Sequence, residues 1–206
     1  MEGGSALLPC ATPSCKLGQD MNSAETPLKG MLLLDSGLLA GSFFQRAVVL
    51  LCQHDAGGAF GLVLNQVLDN KAEEVVLAEL PDAFKELPLH QGGPVHPSTL
   101  SFLHSDVFLP DANVLPNLSL GHSLEALSEL GESFAPTRKI KLFAGYAGWA
   151  PAQLEDEMKR SAWLTHPASL ELIFDTDPAQ LWQAVLRLKG GKYKLLASMP
   201  EDLSSN

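Results

Sequence analysis

Four side chains in this 206-residue sequence have types and settings suited to chemistry: Arg46, His54, Asn65 and Glu155. Arg46 precedes one apolar run and Asn65 closes the next, which puts them at one end of a sheet, beside the turn made by Gly92 and Gly93. Together they would offer several N–H donors to a polar ligand. The same residues also serve to pair a carboxylate and to satisfy loop backbone. Further along, Gly145-Tyr-Ala-Gly-Trp149 leads through Pro151 to Gln153 and Glu155. A strand, a glycine turn and a proline-started helix would leave free N–H groups facing a concavity, with Tyr146, Trp149 and Gln153 around it. That outlines an anion site, but Glu155, Asp156 and Glu157 complement the helix dipole themselves and repel a phosphate. The plainer alternative is that the glycines permit a tight corner and Trp149 packs in the core.

Acid–base work is the second chemistry to weigh, with Glu155 or His54 as the base. Glu155 and Glu157 diverge by about 200° on a helix and would not share a site. The i,i+4 spacings of Glu155 to Lys159 and Asp156 to Arg160 read as a solvated face. Of the histidines, His90 and His96 flank the Gly-Gly-Pro turn and would need a third group to hold a metal. None of the six has the His-Glu-x-x-His spacing of a helical zinc site. Asp175 and Asp177 look like a carboxylate pair, yet Asp177 is better used as a helix cap. There is no nucleophile elbow, phosphate-binding loop, dinucleotide fingerprint or Cys-x-x-Cys. No catalytic residue, metal ligand or cofactor is assigned on these grounds.

The elements that must position these residues follow from the apolar pattern. Met31–Leu34, Ala47–Cys52 and Ala59–Asn65 read as strands, the last two as a hairpin turning at His54-Asp-Ala-Gly-Gly58. Asn70 with Glu73 has capping-box spacing for a helix stopped by Pro81. Ser123 caps a second helix closed near Gly131. Lys139–Ala144 and Leu170–Phe174 read as strands. Pro151 starts a helix with Leu154 and Met158 on its core side, and Asp177 with Pro178 starts the last long one, which ends at Gly190.

Composition narrows the function classes. Fourteen Lys plus Arg against 24 Asp plus Glu give a net charge of −10, which disfavours direct nucleic-acid binding because phosphate affinity comes from Lys and Arg. The nearest basic group, Arg138, Lys139 and Lys141, would alternate between the faces of a strand. Three cysteines do not make a disulfide framework, so a reducing, cytoplasmic setting is expected. No apolar run approaches the roughly 18 residues needed to span a bilayer, which gives no membrane partner. Residues 1–26 are rich in Gly, Ser, Ala, Pro and Thr and are expected to be a disordered extension, with Met21 as a candidate start. Residues 27–206 are expected to form one domain.

Three segments together resemble the AlgH/YqgE family of bacterial proteins. They are Gly30-Met-Leu-Leu-Leu through Phe44-Gln-Arg46, Val48-Val-Leu-Leu, His54 and Gly58-Ala-Phe-Gly-Leu-Val-Leu-Asn65; then Gly92-Gly-Pro-Val95; then Gly145-Tyr-Ala-Gly-Trp-Ala-Pro-Ala-Gln-Leu-Glu155 with Glu157 and Trp163. The ending from Leu181-Trp182 to Gly191-Lys-Tyr-Lys-Leu-Leu also fits. The resemblance implies an α+β fold with a curved, barrel-like, mostly antiparallel sheet flanked by helices. Some members carry the name transcriptional regulator, but no helix-turn-helix signature stands in this sequence. The leading expectation is a non-enzymatic regulatory or scaffolding protein that binds a small ligand or protein partner through Arg46, His54, Asn65, Gly92, Gly93, Tyr146, Trp149, Gln153 and Glu155. A hydrolase or transferase built from the same loops is the alternative.

Overall fold

The computed structural model describes residues 28–72, 80–133 and 135–199. The N-terminal extension, Met21 and most of the helix expected from Asn70 lie outside the described residues, and Asn70 itself ends up in a strand. Nine described strands form the sheet: β1 (Met31–Asp35), β2 (Val48–Asp55), β3 (Gly58–Val63), β4 (Val67–Lys71), β5 (Pro88–Gln91), β6 (Val95–Ser105), β7 (Leu118–Gly121), β8 (Lys139–Trp149) and β9 (Trp163–Pro167). Five described helices accompany them: α1 (Asp82–Lys85), α2 (Leu124–Glu132), α3 (Gln153–Lys159), α4 (Pro178–Lys189) and α5 (Lys192–Ala197).

The runs Leu32-Leu-Leu34 and Val48-Val-Leu-Leu51 are apolar at every position because both faces of their strands are covered. Leu32, Leu34, Val48 and Leu50 pack on one face with Leu181, Trp182 and Val185 of α4. Leu33, Val49 and Leu51 pack on the other with Leu154 of α3, Trp149 and Trp163. A third cluster sets Leu89, Phe102 and Leu142 against Phe84 of α1 and Leu127 of α2.

The expected curved, barrel-like sheet is not what forms. The order β4-β5-β8-β3-β2-β1-β9 leaves β4 and β9 as ends that do not pair, and β7 ends a branch through β6. A barrel gives every strand two neighbours in a closed ring. Here β8 has three partners: β5 along Leu142–Ala144, β6 along Lys139–Ala144 and again at Tyr146, and β3 along its last three residues. The path therefore branches at β8, and the result is an open sheet, mixed because β5 runs parallel to β8.

The segment read as a Gly-Tyr-Ala-Gly-Trp turn is also strand. Gly145 takes φ +69 inside β8, a left-handed kink that glycine tolerates, and Ala147, Gly148 and Trp149 then pair with β3. Leu170–Phe174 was expected to be a strand but is a π-helical turn over Glu171–Asp175, with Leu172 and Ile173 buried. A short apolar run has no period that separates the two, and the Ser169 hydroxyl accepting the Leu172 N–H starts the coil. Strand β9 and helix α5 had no clear sequence signal.

Candidate functional site

The nine sequence-predicted residues fall in three places. Arg46 and Asn65 meet at one end of the β2–β3 hairpin. The Asn65 amide donates to the Arg46 carbonyl (2.9 Å) and accepts from the Val48 N–H (2.8 Å). Arg46 has φ +53, a conformation that costs about 1–2 kcal/mol outside glycine. It is held there because its N–H donates to Asp35 Oδ2 (2.8 Å). Asp35, only 1% exposed, also accepts from the N–H groups of Gly37 and Leu39 and so organises the whole 36–46 loop. The Arg46 guanidinium stacks 5.1 Å over Trp182 and donates to the Met199 carbonyl. Gly92 lies nearby, bridging the sheet by accepting from Val63 N–H and donating to Ala144.

The second group stands at the other end of β3; Ala59 to Val63 spans about 13 Å at strand rise. Here His54 and Trp149 belong to strands β2 and β8 on either side of Ala59. His54 Nε2 lies 2.7 Å from Glu155 Oε1, while the Leu28 N–H donates to Nδ1 (3.2 Å). With Nδ1 accepting, Nε2 carries the proton and donates to the carboxylate, so the ring is the neutral tautomer and both nitrogens are engaged. Backbone and His54 hydrogen bonds hold the Glu155 carboxyl below its ordinary range. Trp149 is 6% exposed and its indole N–H donates to Glu157 (2.9 Å), as does that of Trp163 (2.7 Å). Gln153 donates to the other Glu157 oxygen. The solvated face expected of Glu155 and Glu157 is thus a half-buried clamp, and Asp156 pairs outward with Lys159.

Gly93 and Tyr146 make the third group, where the β5–β6 turn presses on β8. A side chain on Gly93 would collide with the Tyr146 carbonyl. Tyr146 packs on Phe60 and His96. The nine residues therefore do not line one wall, and their polar atoms bond mostly within the protein. Among the described residues no group of three or more His, Cys, Asp or Glu is placed to hold a metal, and no helix is long and apolar enough to cross a membrane. Ser101 Oγ lies 2.9 Å from His122 Nδ1, but the serine is 1% exposed, so this pair reads as a satisfied buried hydroxyl.

A cavity of about 600 Å³, unforeseen from sequence, opens between β5, β8 and the Phe174–Pro178 connection. Val67, Leu87, Pro88 and Phe174 give it apolar walls, and His90, Lys139, Lys141 and Asp175 supply its ionisable groups. Lys139 is bonded to both oxygens of Asp175. Lys141 makes no ion pair with any described carboxylate, and burial pushes its amine down from 10.5 to about 8. His90 is 1% exposed, its Nδ1 has no hydrogen-bond partner, and burial followed by the nearby Lys141 charge lowers it to about 4. The sequence signal was the Lys139-x-Lys141 spacing, which puts both on one face of a strand. The wall opposite comes from residues 35 positions later, which no local pattern announces.

The family model described as AlgH-like matches residues 32–194. The chain belongs to the AlgH-like family. Its relatives include a UPF0301 protein of Chlorobaculum parvum, 38% identical over 185 residues that cover 87% of this chain and 96% of the other. A UPF0301 protein of Chlamydia abortus is 36% identical, covering 86% and 95%. The solution structure of the AlgH protein from Pseudomonas aeruginosa is similar at TM-score 0.68 and 29% identity, over 86% of this chain and 97% of that one. A crystal structure of a Corynebacterium diphtheriae protein shares the fold at TM-score 0.69 and 24% identity, over 83% and 92%. Arg46, the His54–Glu155 bond and the Lys141 cavity all lie inside the span matched by the AlgH-like model.

Proposed function

We propose that the protein works in the cytoplasm by binding a small ligand, without turning it over, in the cavity between β5, β8 and the Phe174–Pro178 connection, in a regulatory or scaffolding role. The observation that carries this reading is Lys141, which lines the cavity without an ion pair to any described carboxylate. A volume of about 600 Å³ is in the range of small-molecule sites. By contrast, His54 has neither ring nitrogen free to act as a base. The test is a fragment screen read by backbone amide NMR shifts. Hits should move Val67, His90, Lys141 and Thr176 together; shifts centred on His54 and Glu155, or none at all, would refute the reading.

A hydrolase or transferase on His54 and Glu155 is the second reading, favoured by their 2.7 Å contact. Turnover in an unbiased metabolite screen, lost in a folded Glu155→Gln variant, would promote it.

A further inference from the structure

Resting on that cavity reading, we infer that the ligand is a small organic acid, its carboxylate against Lys141 Nζ and its apolar body along Val67, Leu87, Pro88 and Phe174. Among the ionisable groups that face the cavity, Lys139 and Asp175 cancel each other at 2.5 Å. His90 is neutral at physiological pH, because burial holds it at about 4. Lys141, on a half-buried strand position, is left without an ion pair to any described carboxylate, in a chain whose net charge is −10. A buried ammonium without a counter-charge is a standing energetic penalty, and an incoming carboxylate removes it.

The number and kind of groups select the class. A single lysine without an ion pair to any described carboxylate is a point charge that matches a monoanion; a phosphate dianion calls for more donors, yet Lys139 is taken by Asp175 and Arg138, just before the strand, is directed to the carbonyls of Leu130 and Ser133. A cationic ligand would be repelled. The remaining walls are apolar, so a hydrated ion such as free acetate fills the charge requirement without the burial.

The experiment compares hexanoate with its neutral isostere hexanamide by calorimetry and amide NMR, in the wild type and in Lys141→Met and Lys141→Arg. Hexanoate should bind about tenfold or more tightly than hexanamide, a preference expected to vanish in Lys141→Met and survive in Lys141→Arg. Raising the pH from 7 to 9 should weaken hexanoate about tenfold, as an amine with a value of about 8 loses its proton, and leave hexanamide unchanged. If the two probes bind alike with shifts in the cavity, the acid inference falls while the cavity reading stands. If neither moves the cavity resonances, both fall.

Discussion

Replacing Lys141 by Met should stabilise the folded protein near neutral pH, although it removes a charge from an intact strand. In the unfolded chain the amine titrates near 10.5, and in the fold burial lowers it to about 8. The protonated form is therefore the disfavoured one in the fold. At about 1.4 kcal/mol per unit, the full shift corresponds to a penalty of about 3 kcal/mol for keeping Lys141 charged at pH 7. Solvent that still reaches the amine reduces this, so the expected gain for Lys141→Met is about 1–3 kcal/mol. The sign with pH is fixed. Between about 8 and 10.5 the unfolded chain binds more protons than the folded one, so wild-type stability rises across that window and the advantage of the Met variant closes. Urea unfolding of both proteins at pH 7, 9 and 10.5 measures it. A Met variant less stable than wild type, or a gap that does not change with pH, would refute the burial argument and remove the uncompensated charge on which the ligand class rests.

His90 gives a slope of the same sign on the acid side: a ring held neutral down to about 4 should make wild-type stability fall as pH drops from about 6.5 towards 4, a slope that His90→Phe reduces in acid titrations followed by circular dichroism. Glu157→Ala leaves the indole N–H groups of Trp149 and Trp163 without their acceptor and should cost about 2–4 kcal/mol, with a change in tryptophan emission, in urea unfolding. Asp35→Ala frees the N–H groups of Gly37, Leu39 and Arg46; hydrogen exchange should then speed up across residues 36–46 before any other part of the sheet. Gly93→Ala should fail to fold to a stable product, because its methyl meets the Tyr146 carbonyl, and a soluble variant with wild-type Tm would contradict the close approach.

The hairpin and the caps were legible in the sequence because their signals are local. The glycine turn at 57–58 sets the register of β2 on β3, and Ser123 and Asp177 accept the N–H groups of Ala126 and Ala179 as the sequence pattern requires. Arg46 and Asn65 do share one end of the sheet. The barrel expectation came from resemblance alone, and the open strand order that branches at β8 overturned it. The π-helical turn at Glu171–Asp175 was misread because five apolar-rich residues fit strand or helix equally. The same segment then hid the cavity, since Phe174 and Asp175 reach β8 only through that coil. The motif residues drew attention by their types, yet those types were needed inside the fold: Asn65 for the backbone of Val48 and Arg46, Gly93 for the close approach of Tyr146, Glu157 for two indole N–H groups. A group with a bound partner inside the protein has little left for a ligand. Lys141, ordinary in sequence, is the one left over among the cavity's charges.

Native mass spectrometry of the protein purified from its own host, beside a Val67→Trp variant whose indole fills the cavity mouth, tests the ligand site most directly. A small-molecule mass is expected on the wild type that the variant lacks, with both proteins folded. A bare wild-type mass that stays bare after small organic acids are added, or an adduct carried equally by Val67→Trp, would contradict it.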